Sequence, residues 1–329
     1  MGNDNDNDNE NENDNDDDNE NSIKDMTEKT SIFQRPLWVT TFALTAAIAW
    51  GWAYPLIKLG FAEFGITQAM TGSKMLFAGI RFALSGFILL AIAFATKRDF
   101  RVSKPADWSY MLLFALLNTT FHYSFFYIGL SHSDGARAAI LNSLSVFLVV
   151  LLACLFFKSD RLTPKKILGC VVGITGILIL NVGKGGGGQF TFLGDGMIVL
   201  NALCSAFASL LTRGLARRVD VFVGTGYSLF FGGLLLIIPS LFMNGTLPHI
   251  TTLGLVILGL LVAISALGFA LYNKLISCNP VGKIAIFNSL IPVVGALTSC
   301  LCLGEPFYMK YLVACLLAMT GIYIINKGK

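Results

Sequence analysis

From residue 38 to its end the sequence is a succession of apolar runs, each broken by charge, Gly or Pro, with connections too short to fold by themselves. A run of about 20 apolar residues crosses about 30 Å of hydrocarbon as a helix. Runs of that kind fall at 38–59, 75–96, 109–130, 137–157, 165–181, 193–212, 221–242, 251–272, 282–303 and 308–326. Only 13% of the residues are charged and the mean hydropathy is +0.67, whereas a soluble domain carries roughly a quarter charged residues. The chain is therefore expected to be an all-α integral membrane protein of ten transmembrane helices. A soluble globular enzyme is excluded, and no stretch after residue 36 leaves room for an ATPase module.

Charge fixes the expected orientation. Eighteen of the 24 Lys and Arg lie on one side of the ten runs, in groups such as Lys97, Arg98, Arg101 and Lys104, or Lys158, Arg161, Lys165 and Lys166. The other side holds Lys58, Lys74, Arg137, Lys184 and Lys310, and Arg81 falls inside a run. Basic loops stay in the cytoplasm, so both termini are expected there, in a plasma membrane. Residues 1–36 begin with Asn alternating with acidic residues, too polar for a core and so expected to be a disordered cytoplasmic tail. Asp16, Asp17 and Asp18 lack the Gly and closing Glu of a calcium loop. The cysteines show neither disulfide nor zinc spacing, and no secretory leader is expected. No cofactor, catalytic residue or nucleic-acid partner is implied; the expected partners are a small solute and the lipid bilayer.

The chain also repeats itself. At an offset of 146, Ala139, Ile140, Asn142, Ser143 and Leu144 fall on Ala285, Ile286, Asn288, Ser289 and Leu290. After a one-residue gap, Thr175, Gly176, Ile177, Ile179 and Asn181 fall on Thr320, Gly321, Ile322, Ile324 and Asn326. Two five-helix repeats result, over 38–181 and 193–326, joined by a Gly-rich external connector at 182–192. An odd number of spans inverts the second copy relative to the first. The loop charges agree, since Lys158, Arg161, Lys165 and Lys166 are matched in the second copy by Lys310 alone. Inverted repeats supply two states of nearly equal energy, the geometry of alternating access. A passive channel would call for a filter, and an integral-membrane enzyme for clustered His, Asp, Glu or Cys; neither pattern is found in the sequence.

Trp50-Gly51 with Pro55 and Lys58, Gly79-Ile80-Arg81-Phe82, and Gly304-Glu305-Pro306 before the closing run give a sequence that resembles the EamA family of the drug/metabolite transporter superfamily. The resemblance covers about residues 38 to 326. It implies a secondary carrier exporting a small organic metabolite, amino acid or drug, with a cavity lined by spans one to four and six to nine, and spans five and ten at the periphery. Two positions depart from the pattern. Pro292 of the second copy is matched by Val146, which puts a bend of the fourth span in doubt, and Glu305 is matched by Asp160.

The candidate substrate-binding residues are Trp50, Tyr54, Arg81, Asn118, His122, Asn142 and Asn288. Asn142 and Asn288 are repeat-matched amides inside apolar runs, where an unsatisfied polar group is costly; they face substrate or tie helices together. Asn118 and His122 share one face of the third span, and His122 titrates in the range that proton coupling uses or is a neutral packing residue. Arg81 either snorkels to the outer interface or binds an anion at the outer mouth of the cavity. Trp50 and Tyr54 line a cavity or pack against neighbours. Gly169 and Gly173 form a small-residue face on the fifth span, available for a homodimer or for packing within the chain.

Overall fold

The computed structural model describes residues 32–102, 104–156, 162–180, 189–215, 217–279, 284 and 286–326. Most of the acidic tail and Gly185 to Gly188 of the connector lie outside the described residues. Among the described residues every regular element is helical. We label them α1 (Pro36–Glu63), α2 (Thr71–Ala95), α3 (Pro105–Ser131), α4 (Gly135–Phe156), α5 (Pro164–Ile179), α6 (Met197–Leu215, entered through a π turn at Phe192–Gly196), α7 (Val221–Phe242), α8 (Thr252–Cys278), α9 (Leu290–Leu303, entered through a 3-10 turn at Ile286–Ser289) and α10 (Met309–Asn326).

Seven of these, α1 to α4 and α6 to α8, are long and apolar enough to cross a membrane. Helices α9 and α10 are shorter apolar helices, and α5 has 16 residues, a rise of about 24 Å at 1.5 Å per residue. The shortening has local causes. Pro164 fixes the start of α5, and the first turn of α9 is spent as a 3-10 turn around Asn288.

Matched helices of the two repeats pack against each other: α2 on α7, α4 on α9 and α5 on α10. Each of these pairs is antiparallel. Gly72 at the start of α2 lies against Met243 just past α7, while Arg98 just past α2 meets Asp220 at the start of α7. Gly135 at the start of α4 faces Ser299 near the end of α9, and Gly169 early in α5 faces Ile325 late in α10. The cross pairs α1 with α8 and α3 with α6 are likewise antiparallel. Thr251 bonds Glu63 at 2.7 Å at one end of the first pair, and Asn279 bonds the Phe33 carbonyl at 2.7 Å at the other.

Small residues make these approaches close, as they do where lipid supplies no hydrophobic drive between helices. Gly169 and Gly173 are used this way. Gly169 lies against Gly321 and Ile325 of α10, Gly173 beneath the Phe147 ring, and Gly176 against Leu317, so this face is occupied within the chain. Outward, Phe87, Phe94, Leu155, Phe242 and Leu301 are exposed, an apolar exterior suited to lipid.

A Cβ at Gly79 would lie 2.8 Å from the Gly233 carbonyl oxygen and 3.0 Å from the Ile237 amide nitrogen, whereas Gly259 has open space around it. Overpacking of this kind costs about 1–3 kcal/mol. Gly79→Ala is therefore expected to lower the melting temperature of the purified protein in detergent by several degrees, and Gly259→Ala to leave it unchanged.

Candidate functional site

Between the two repeats lies a cavity of about 300 Å³, at the lower end of the range for small-molecule sites. All seven candidate residues sit on its wall: Trp50, Tyr54, Arg81, Asn118, His122, Asn142 and Asn288. Near the middle of the bundle the wall is made by Tyr54, Tyr123, Phe126 and Ala139; toward one end it continues through Ala153, Lys166, Thr212, Ile276 and Ile325. Those last residues lie at the end of α4, the start of α5 and the ends of α6, α8 and α10. The cavity thus runs to the end of the bundle that carries the basic loops. Helix α7 gives no lining residue, while α5 and α10 contribute Lys166 and Ile325, so the lining implied by the family resemblance is corrected at these helices. The α2–α7 contact is so close that α7 lies behind α2, away from the cavity.

The amides do two things at once. Asn142 donates from Nδ2 to the Tyr54 hydroxyl at 2.9 Å, and its Oδ1 accepts from Asn201 Nδ2 at 2.6 Å. It therefore ties α1 and α6 to α4 at the cavity wall. Asn288 donates to the Tyr272 hydroxyl at 2.7 Å, so each repeat presents an amide joined to a tyrosine. The backbone gives way at both places. Helix α4 is interrupted at Ser143, whose hydroxyl donates to the Ile140 carbonyl at 2.6 Å, and the matched segment of the second repeat is the 3-10 turn at Ile286–Ser289. The interruption of the fourth helix thus needs no proline. A serine hydroxyl competing for backbone carbonyls is enough.

Asn118 lies in a π turn of α3, Leu116–Thr120, and donates to the Ser228 hydroxyl at 3.1 Å. His122 packs edge-on against Tyr123 with ring centroids 4.3 Å apart, and its Nδ1 is buried without a hydrogen-bond partner among the described residues. Trp50 meets Phe269 and Tyr272 of α8 edge-on at 5.4 and 5.2 Å. Arg81 does not snorkel. It is 2% exposed and donates to the Leu261 carbonyl, the Ser265 hydroxyl and the Tyr127 hydroxyl at 3.2, 2.8 and 3.0 Å. Inward acceptors on α8 and α3 outcompete the interface, and the side chain points at the blind end of the cavity rather than at its mouth.

That blind end is closed by charge. Glu305 accepts from Lys58 Nζ and the Gly135 amide at 2.8 Å each, and from the Ala136 amide at 3.1 Å. The carboxylate caps the N-terminus of α4, where free amide donors and the helix dipole favour an anion. Beside it Arg137 meets both oxygens of Asp195 at 2.7 Å, and Lys310 and Arg137 both donate to the Leu180 carbonyl, at 3.1 and 3.0 Å. Sequence reading places these charges near helix ends but not against one another, because Lys58 and Glu305 are 247 residues apart. Tyr272, Asn201 and Asn273, also on or beside the cavity wall, carry no sequence signal beyond being polar in apolar runs.

The model of the EamA-like transporter family matches residues 37–182 and again 192–327. The uncharacterized transporter YvbV of Bacillus subtilis is 26% identical over 287 residues, covering 85% of this chain and 88% of the relative. A probable amino-acid metabolite efflux pump of Salmonella typhimurium is 25% identical, with 86% and 92% covered. A solved crystal structure of a protein superposes with a TM-score of 0.62 at 20% identity, covering 87% of this chain and 95% of that one, which shows a shared fold.

Removing the Asn142 side chain breaks two hydrogen bonds and orphans the Tyr54 hydroxyl, at a cost of about 1–3 kcal/mol. Asn142→Ala is expected to melt several degrees below the wild type and below Asn288→Ala, which breaks the bond to Tyr272. Adding Tyr54→Phe to Asn142→Ala should return part of the loss, measured as a double-mutant cycle.

Proposed function

We propose, from the premise that this chain belongs to the EamA-like transporter family and is a multi-pass membrane transporter, that it is a secondary carrier working by alternating access. The observation that carries the reading is a polar-studded cavity reaching one end of the bundle while a carboxylate latch shuts the other. In this reading all ten helices span the bilayer as two inverted repeats. The basic-loop end faces the cytoplasm with both termini, and the membrane is the plasma membrane. The state described is then open inward. Its cargo is a small organic metabolite, and transport runs outward, in keeping with the efflux role in the name of the Salmonella relative. Trp50, Tyr54, Arg81, Asn118, His122, Asn142 and Asn288 form its binding surface.

Antiparallel matched helices support this mechanism physically. Exchanging the conformations of two similar halves exchanges which end of the cavity is open. Opening the shut end requires Glu305 to leave Lys58 and the α4 amides, and charged hydrogen bonds of this type contribute about 1.5–3 kcal/mol each.

Single cysteines at Leu162 and Phe307 are expected to react with a membrane-impermeant maleimide from opposite sides of oriented vesicles. Reaction of both from one side sinks the inverted architecture. In the same cysteine-free background, Glu305→Gln is expected to raise outside labelling of a cysteine at Ser143, which lines the cavity, by tenfold or more, since about 1.4 kcal/mol is a factor of ten in population. Unchanged labelling removes Glu305 from the gate. Saturable counterflow in proteoliposomes distinguishes the carrier from a channel.

A further inference from the structure

Of the two buried arginines among the described residues, Arg137 and Arg81, only Arg137 meets a carboxylate. Arg137 is 2% exposed and is met by both oxygens of Asp195. Arg98 and Arg218, at the cavity's open end, pair with Asp220 and Asp107 at 3.1 and 2.9 Å. Arg81 is as buried as Arg137, yet its acceptors are a carbonyl and two hydroxyls, and the face of the Phe82 ring lies 4.8 Å from its guanidinium. No Asp or Glu lies among the residues lining the cavity, and the other lining cation, Lys166, sits toward the mouth. A guanidinium keeps its proton in a protein, so a full positive charge stands at the blind end. Neutral acceptors return only part of the free energy lost in burying it.

A second observation points the same way. The buried Nδ1 of His122 has no hydrogen-bond partner among the described residues, and His122 lines the same cavity. His122 stands edge-on to Tyr123, and Tyr123 stacks on Phe82 at 3.9 Å, the ring over which Arg81 lies. A buried polar atom left over in a cavity wall marks a position for a ligand atom.

We propose, resting on the carrier reading above, that Arg81 is the counter-charge for the substrate and that the cavity selects an organic monoanion, a single carboxylate on an apolar or aromatic body. Among the described residues Arg81 is the one cation lining the cavity at that end, and one cation suits one carboxylate. A phosphate monoester brings about 1.5 to 2 negative charges at pH 7, more than this end neutralises. An ammonium group would meet amides and hydroxyls on the wall but no carboxylate, which disfavours cations. The body of the substrate lies against Trp50, Phe126 and Phe269, which line the cavity beside the polar groups.

The test uses two probes of one skeleton, 3-phenylpropionate and 3-phenylpropionamide, titrated into the full chain in lipid nanodiscs. The carboxylate is expected to bind at least tenfold tighter than the amide. Arg81→Gln removes the difference, and Arg81→Lys keeps a preference for the carboxylate, with thermal melts verifying that each variant is folded. The proposal is overturned if the wild type binds the amide as tightly, if it does not bind the carboxylate, or if folded Arg81→Gln keeps the preference. Counterflow of both probes in proteoliposomes separates the two levels of the argument. Exchange of the amide as fast as the carboxylate ends the anion site and leaves the carrier. A carboxylate that binds but never exchanges leaves the site and ends the carrier.

Discussion

Hydrocarbon offers no hydrogen-bond partner, so every polar group carried into the bilayer must find one inside the bundle. This constraint sorts the interior of the protein. Some polar side chains close locally on their own helix, as Ser265 does on Leu261 at 3.0 Å. Others stitch helices together, as Thr120 does with the Gly232 carbonyl at 3.1 Å and Asn273 with Thr225 at 2.7 Å. A third group lines the cavity, and most of it bonds across helices as well: Asn142, Asn288, Tyr54, Tyr272, His122 and Arg81. The cavity wall is thus where the bundle gathers polar side chains that also hold its helices together, which is the arrangement the proposed solute site requires.

The same constraint explains where the backbone departs from the α-helix. Free carbonyls and amides are tolerated at membrane depth only when they line a cavity or meet protein partners. The interruption at Ser143, the 3-10 turn before α9 and the π turn carrying Asn118 each lie beside a cavity residue. The glycine contacts serve the opposite purpose. Along α2 with α7 and α5 with α10 the backbones close to within the reach of a missing Cβ, so these pairs are closely packed seams flanking the cavity.

Much of this was legible in the sequence, for identifiable reasons. Length and hydropathy locate the helices because the bilayer imposes one thickness. The repeat shows in Asn142 and Asn288 because a buried amide is too costly to keep without use, and both turn out to face the cavity while tying helices. Gly169 and Gly173 read as a contact face, and within the chain they lie against α10 and Phe147. Arg81 was not legible: snorkelling and inward burial leave the same residue in the same run, and only the acceptors on α8 and α3 decide between them. The latch was hidden by chain separation, since nothing local to Glu305 says that the N-terminus of α4 lies beneath it. The break in α4 was hidden by attention to proline, when the neighbouring Ser143 carried the signal.

A ligand shifts a conformational equilibrium only through contacts that differ between the two states, and the geometry indicates where those contacts are. Arg81 of α2 is held by α8 and α3 through Leu261, Ser265 and Tyr127. Helix α8 packs on α1, and α1 carries both Tyr54, bonded to Asn142 of α4, and Lys58, bonded to Glu305. Helix α4 begins at the two amides that Glu305 caps. The cavity wall and the latch are therefore built on the same two helices, α1 and α4. In the carrier reading, a rearrangement of the Tyr54–Asn142 pair around a bound solute reaches the donors that hold Glu305, with Lys58 about one turn away along α1 and the Gly135 and Ala136 amides about two turns away along α4. A carrier whose binding groups and gate shared no helix would need a separate relay; in the proposed reading the gate lies at the end of the elements that line the site.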